Sequence, residues 1–237
     1  MNTNMNTNTN IEVSKALVVG ASRGIGLELV RQYRVQGWAV SGTARSPAGL
    51  EALTALGATA LQLDVAELGD AAAFTLPIEG ERFDVVILNA GVYGPRQSSL
   101  QTPTAAEFDA VMHTNVWGAM RVLPQVVGAL AQGGELPRLA VVSSRMGSMA
   151  LRASPSGWLY RASKAALNSV LKDTSLVLAG KAICVALHPG WVRTDMGGDG
   201  ADISVQDSAA GIRRTLAGLQ PGDNGGFFSF DGTALAW

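Results

Sequence analysis

The sequence predicts an α/β fold, a single doubly wound parallel sheet of about seven strands with helices on both faces, and three observations predict it. Short β-branched runs alternate with longer stretches that carry apolar residues at helical spacing. The run Asp84-Val-Val-Ile-Leu88 is almost wholly apolar, the pattern of a parallel strand covered on both faces. A glycine-rich turn, Gly20-Ala-Ser-Arg-Gly-Ile-Gly26, stands where the first such run gives way to the first helical stretch.

Each element follows from local signals. Residues 16–20 read as the first strand. A helix follows from Ile25 to Gln36, ended by Gly37. Residues 38–43 form the second strand, and residues 47–56 a short helix closed by Gly57. Residues 60–63 are the third strand and 84–88 the fourth. Thr104 and Glu107 have the spacing of a capping box, which opens a long helix running through Asn115 that Pro124 should kink or restart. Residues 139–143 are the fifth strand, 159–178 a long helix, 183–187 the sixth strand and 227–230 a short last strand.

At 237 residues with 47% hydrophobic content, the chain fits one domain, expected over residues 13–237. Residues 1–12 begin with a polar Asn/Thr alternation that offers no apolar surface, and are expected to be a disordered tail. That stretch has neither the positive charge nor the apolar core of a secretory signal. The formal net charge of −1 and the lack of a basic block argue against nucleic acid as a partner. No apolar run reaches the ~18 residues that a membrane span requires. Cys184 is the only cysteine and sits in an apolar run, as a buried strand cysteine would. These signs fit a cytoplasmic protein. His113 and His188 have no acid or cysteine at ligand spacing, so no metal site is expected.

The glycine turn has chemistry of its own. Gly20, Ser22, Arg23, Gly24, Ile25 and Gly26 bring backbone close to a pyrophosphate, and the helix N-terminus behind them offers free N–H groups and partial positive charge. The second strand distinguishes the two nicotinamide cofactors. An acid about 20 residues on would hold the ribose of NAD. Here Ala44 is followed by Arg45, with no acid. A guanidinium suits the 2′-phosphate of NADP(H), and Arg23 can add a second contact. Two such contacts are worth ~3 kcal/mol, or about a hundredfold in affinity. Asp64, followed by Val65 at the end of the third strand, can accept from an adenine amino group or cap the next helix. Asn89-Ala90-Gly91 closes the fourth strand, where ligands sit in such sheets.

Tyr160 and Lys164 stand four residues apart and so share a helix face. A free tyrosine has a pKa near ~10. A positive charge at about 4 Å is worth roughly 4 kcal/mol at an effective dielectric near 20, or about three pKa units. Lys164 is therefore expected to pull the Tyr160 phenol down, so that it can pass a proton to a carbonyl oxygen or take one from an alcohol. Ser144 can hold that oxygen by a hydrogen bond.

Taken together, the glycine turn, Asn89-Ala-Gly91, Asn115, Ser143-Ser144, Tyr160-x3-Lys164 and Pro189-Gly190 resemble the short-chain dehydrogenase/reductase family over essentially the whole chain after residue 12. The stretch at 188–198 and the ending Asp-Gly-Thr-Ala-Leu-Ala-Trp look like its C-factor and sniffer branch. The sequence departs at Val19 and Leu88, where the family often has Thr and Asn, and in a longer gap between Ser144 and Tyr160. That gap places a small insertion between Arg145 and Trp158, beside the substrate. The resemblance implies a Rossmann-type fold, with Asn115, Ser144, Tyr160 and Lys164 as the catalytic set and Asn115 anchoring a water in a proton relay. It also implies that Tyr160 and Lys164 contact the cofactor, Lys164 through the nicotinamide ribose, while Pro189, Gly190, Val192 and Thr194 seat the carboxamide. Pairing through the helices carrying Asn115 and Tyr160, as a homodimer or homotetramer, is implied too.

The function expected is an NADPH-dependent reductase of aldehydes or ketones, reversible to alcohol oxidation. A cofactor-binding regulatory protein with little turnover and an NAD-linked alcohol dehydrogenase are the alternatives. Pocket residues around Tyr93, from Met146 to Trp158 and from Trp191 to Ile203 are mixed apolar, which suggests a hydrophobic carbonyl compound.

Overall fold

The computed structural model describes residues 13–67, 75–96 and 98–237. The polar tail expected at 1–12 lies outside the described residues. Seven strands form one sheet: β1 Lys15–Val19, β2 Ala39–Ala44, β3 Thr59–Gln62, β4 Val85–Leu88, β5 Arg138–Val142, β6 Ile183–His188 and β7 Gly226–Ser229. Their order is β3-β2-β1-β4-β5-β6-β7, and every pairing is parallel. The order reverses between β1 and β4, which opens a crevice at the strands' carboxyl ends.

Alternate residues of each strand feed two apolar layers. On one face, Leu17, Val86, Leu139 and Ala186 pack with Val122 and Val126 of α4 (Gly118–Val127) and with Leu167 and Leu171 of α5 (Trp158–Val177). On the other, Val18, Ile87, Ala140 and Val185 pack with Leu29 and Tyr33 of α1 (Gly24–Val35), Leu53 of α2 (Pro47–Ala55), and Ile212 and Leu216 of α6 (Val205–Gly218). Burial on both faces is why the central strands β1, β4, β5 and β6 read as nearly unbroken apolar runs.

The long helix expected to run through Asn115 forms, with a π turn inside it. The capping box forms at Thr104 and Glu107, opening α3 (Ala105–Met112). A π turn, His113–Trp117, then intervenes before α4. Pro124 does not restart the helix; α4 runs through it to Val127. Met120, whose carbonyl would have been the Pro124 partner, is half exposed, so that lost bond lies toward solvent. The irregular turn carries Asn115 instead, and such turns gather at functional sites. No helix among the described residues is long and apolar enough to cross a membrane.

Candidate active site

A cleft of about 460 Å³ opens over the carboxyl ends of β1, β2, β4, β5 and β6. Of the residues expected at a cofactor, Gly20, Ser22, Arg23, Gly24, Ile25, Arg45, Asp64, Val65, Asn89, Ala90, Gly91, Tyr160, Lys164, Pro189 and Thr194 line it. Gly26, Gly190 and Val192 lie behind its wall. A Cβ on Gly26 would meet the Gly20 carbonyl at 2.2 Å, so this glycine lets α1 approach the turn. Gly190 packs against Ile203 and Phe230, and Val192 is buried.

Side chains beneath the glycine turn fix it. Gly20 adopts φ +83°, a conformation that disfavours a side chain, and a Cβ there would press on the Ala90 backbone at 2.6 Å. The Gly20 N–H donates to Thr43 Oγ1 at 2.9 Å, and Asn89 Nδ2 donates to the Gly20 carbonyl at 2.7 Å. Asn89 thus braces the turn from the neighbouring strand end. The first turn of α1 has no acid and no side-chain cap, which leaves its N–H groups facing the cleft mouth. Arg23 forms an exposed ion pair with Asp195 across that mouth. Asp64 accepts from the Ala66 N–H at 3.0 Å, so it caps a turn while lining the cleft.

Opposite this turn, α5 presents Tyr160 and Lys164. Both are buried, at 7% and 3% exposure. Lys164 Nζ donates to the Val142 carbonyl at 2.9 Å. An ammonium has three donors, and burial pushes this one down to about 8. Tyr160 contradicts the sequence-based expectation. Its phenol is pushed up to about 12, chiefly by burial, with Tyr93 adding to the rise and a hydrogen bond with Ser144 opposing it. Lys164 Nζ lies 5.7 Å from the ring centroid, tied to a carbonyl, and its charge does not overcome the desolvation. The phenol therefore rests in its protonated form.

The three serines have separate partners. Ser143 Oγ, which lines the cleft, donates to Asn168 Oδ1 at 2.5 Å. Ser148 is buried and donates to the Ala236 carbonyl at 2.7 Å. Ser144 Oγ accepts from the Met146 N–H at 3.1 Å and pairs with Tyr160. Asn115 is 1% exposed and lies behind the cleft. Its Oδ1 accepts from the Val92 N–H, and its Nδ2 donates to the Val92 carbonyl and to Ser163 Oγ, all within 2.9 Å. Both Nδ2 hydrogens are spent joining the β4 loop to α5, which leaves the side chain one further acceptor site on Oδ1.

Tyr93, expected beside the substrate, and two residues not singled out from the sequence, Arg96 and Asn168, complete the site. Tyr93 stacks on Tyr160 with ring centroids 4.6 Å apart. Arg96 lies over the Tyr93 ring and donates to the Met196 carbonyl at 2.5 Å. Asn168 was findable, because it follows Tyr160 by eight residues and Lys164 by four on one helix face. Asp195 and Met196, within the expected pocket stretch from Trp191 to Ile203, line the cleft. No cluster of three metal-binding side chains occurs among the described residues.

The residues present suit a nicotinamide dinucleotide. The acid-free turn of α1 suits a pyrophosphate, and Lys164 has a buried ammonium with one carbonyl partner, suited to ribose hydroxyls.

Comparison with known proteins fits this geometry. The family model for short chain dehydrogenases matches residues 14–202. C-signal of Myxococcus xanthus is 41% identical over 155 residues, covering 65% of this chain and 92% of that protein. The structure of carbonyl reductase Sniffer of D. melanogaster aligns with a TM-score of 0.83 at 28% identity, covering 95% of this chain and 100% of that one. NADPH-bound carbonyl reductase from chicken fatty liver aligns with a TM-score of 0.83 at 28% identity, covering 95% and 99%.

Proposed function

Since this chain belongs to the short chain dehydrogenase family, we propose that it is an NADPH-dependent reductase of aldehydes or ketones, able to run the reverse alcohol oxidation. The observation that carries this reading is that Tyr160 and Lys164, one helical turn apart on α5, line the same cleft as the glycine turn, with Ser144 beside the Tyr160 phenol. The solved neighbours named above include an NADPH-bound carbonyl reductase, which supports the same choice of cofactor and reaction.

The first turn of α1 would hold the pyrophosphate, Arg45 the 2′-phosphate and Lys164 the nicotinamide ribose. When bound, the reduced nicotinamide supplies a hydride to the carbonyl carbon. The protein manages the oxygen. Ser144 donates a hydrogen bond to the carbonyl oxygen and orients it toward Tyr160. As negative charge grows there, the phenolic proton of Tyr160 passes to it, giving the alcohol and leaving a phenolate. The nearby Lys164 charge favours that phenolate. A phenol raised to about 12 is fully protonated at neutral pH, the state that reduction requires. Tyr93, stacked on Tyr160, holds the ring and keeps water from its face.

The test is consumption of NADPH and of NADH by purified protein against a panel of aldehydes, ketones and diketones. Turnover with NADPH, and faster than with NADH, is expected. Tight NADPH binding with no turnover on any compound would refute it. The second reading, a cofactor-binding signalling protein, would then stand, and the 41% identity to C-signal favours it.

A further inference from the structure

The motif Asp231-Gly-Thr-Ala-Leu-Ala-Trp237 has no part in the chemistry proposed above, yet it is tied to the segment that carries Ser144. β7 stands at one end of the sheet order. After it the chain turns at Asp231 and Gly232, where Gly232 adopts φ +90° and the Asp231 carboxylate accepts from the Thr233 N–H at 3.0 Å. It then runs back antiparallel along the outer edge of β7, with Ala234 opposite Phe228. The Ser229 N–H donates to the Thr233 carbonyl and the Leu235 N–H to the Phe227 carbonyl, both at 2.8 Å. Leu235 packs on the apolar layer that α4 and α5 cover. The Trp237 ring stacks on buried Phe227 with centroids 5.2 Å apart. The strand edge and the core therefore hold residues 233–237 in place.

Two carbonyls of this segment take donors from the loop after β5. The Ala150 N–H donates to the Trp237 carbonyl at 2.9 Å, and Ser148 Oγ donates to the Ala236 carbonyl at 2.7 Å. The same Oγ accepts from the Leu151 N–H at 3.0 Å. Ser148 is 0% exposed. Burying a hydroxyl is unfavourable unless it is bonded, and an alanine fills nearly the same space, so a serine here serves those two bonds. Between Ser148 and Ser144 lies only the 3-10 turn Arg145–Gly147. The Gly147 N–H donates to the Ser144 carbonyl at 2.8 Å, and the Ser148 N–H to the Arg145 carbonyl at 3.1 Å. Ser144 Oγ accepts from the Met146 N–H, and a Cβ on Gly147 would meet the Lys164 backbone at 2.8 Å. Each residue from Ser148 back to Ser144 is thus held by a bond or a close contact, and a shift at one end is felt at the other.

We propose that residues 236–237 are a strap that positions Ser144: bonded to Ser148 and Ala150, they lock the 145–147 turn so that the Ser144 hydroxyl faces the substrate oxygen beside Tyr160. Ser148 and Trp237 are then positioning residues for the reduction, and neither lines the cleft. The inference rests on the reductase reading for its effect on rate, but the link from strap to turn does not depend on it.

The test uses Ser148→Ala, which removes the bond to Ala236, and Trp237→Ala, which removes the stack on Phe227. Trp237 is exposed, so its variant gives a folded protein even where Ser148→Ala does not. Amide hydrogen exchange is read at Met146 and Gly147, whose N–H groups bond to Ser144 and not to the strap. Both should exchange about tenfold faster in the two alanine variants. kcat for reduction should fall about tenfold to a hundredfold, the cost of a reacting group misplaced by up to ~1 Å, while the NADPH Kd stays within about twofold. Trp237→Phe keeps a ring on Phe227 and should restore both readouts. In a Ser144→Ala background the alanine substitutions should change kcat by less than about twofold, because the strap acts through that serine; a merely structural role would lower kcat alike in both backgrounds. Unchanged exchange at Met146 and Gly147 overturns the strap, whether or not the protein reduces anything. So does a kcat that stays level in the alanine variants, or that falls equally in both backgrounds. Faster exchange in a protein that turns over no substrate would leave the strap standing and remove the reductase reading.

Discussion

Arg45→Ala should cost the protein about tenfold in NADPH affinity and leave NADH within about twofold. Arg45 is exposed at the end of β2, lines the cleft and has no ion pair among the described residues. A charge-assisted contact with a phosphate in such a place is worth about 1.5 kcal/mol. Arg23 is a different case. Its ion pair with Asp195 joins side chains 73% and 75% exposed. Leaving that pair costs up to ~1 kcal/mol, so the Arg23 contact nets about 0.5–1 kcal/mol. The sum, about 2 kcal/mol, is a thirtyfold preference for NADPH rather than the hundredfold that two free arginines would give. Asp195→Asn should release Arg23 and tighten NADPH about threefold. Fluorescence titration of each cofactor against each variant measures all of this. Equal affinity for NADPH and NADH in the unaltered protein would refute the reasoning, as would an Arg45→Ala loss shared by both cofactors.

Three further outcomes are expected. kcat/KM for reduction should fall as pH rises through about 8, because Lys164 is charged below that value and neutral above it, while Tyr160, at about 12, stays protonated throughout; a pH profile flat to 10 would contradict this. Gly26→Ala places a Cβ 2.2 Å from the Gly20 carbonyl and 2.7 Å from Asn89 Nδ2, so it should destabilise the fold by about 2 kcal/mol, lower Tm by several degrees and weaken NADPH binding; calorimetry checks it. Ala44→Asp should shift preference toward NADH by supplying an acid at the end of β2, read in the same titrations.

Burial on both faces made the strands legible. All seven fall within a residue or two of their expected places, and β1, β4, β5 and β6, the central strands packed on both sides, are apolar almost throughout. Helix α6 was not legible. Its buried face includes Ser208, Ala209 and Gly211 along with Ile212 and Leu216, so the apolar period is faint. Those small residues are required there, since a Cβ on Gly211 would meet the Phe230 ring at 2.5 Å. The π turn at 113–117 has no local signature; Asn115 is anchored by Val92 and Ser163, which are distant in sequence.

The same division holds in the cleft. The glycine turn and the Tyr160–Lys164 pair are written in local spacing. Tyr93, Arg96, Asp195 and Met196 come from loops that only the sheet order brings together. The Tyr160 protonation state depends on burial, which spacing does not report, and so the expected fall became a rise.

The most direct test of the account is Tyr160→Phe, measured by single-turnover reduction alongside NADPH titration. The phenylalanine ring keeps its stack on Tyr93, at 4.6 Å in the unaltered protein, so the cleft retains its shape. Only the hydroxyl that gives up the proton is lost. Reduction should fall by about 10²–10⁴ while the NADPH Kd stays within a few-fold. Near-normal turnover in this variant would show that Tyr160 is not the proton donor and would contradict the account.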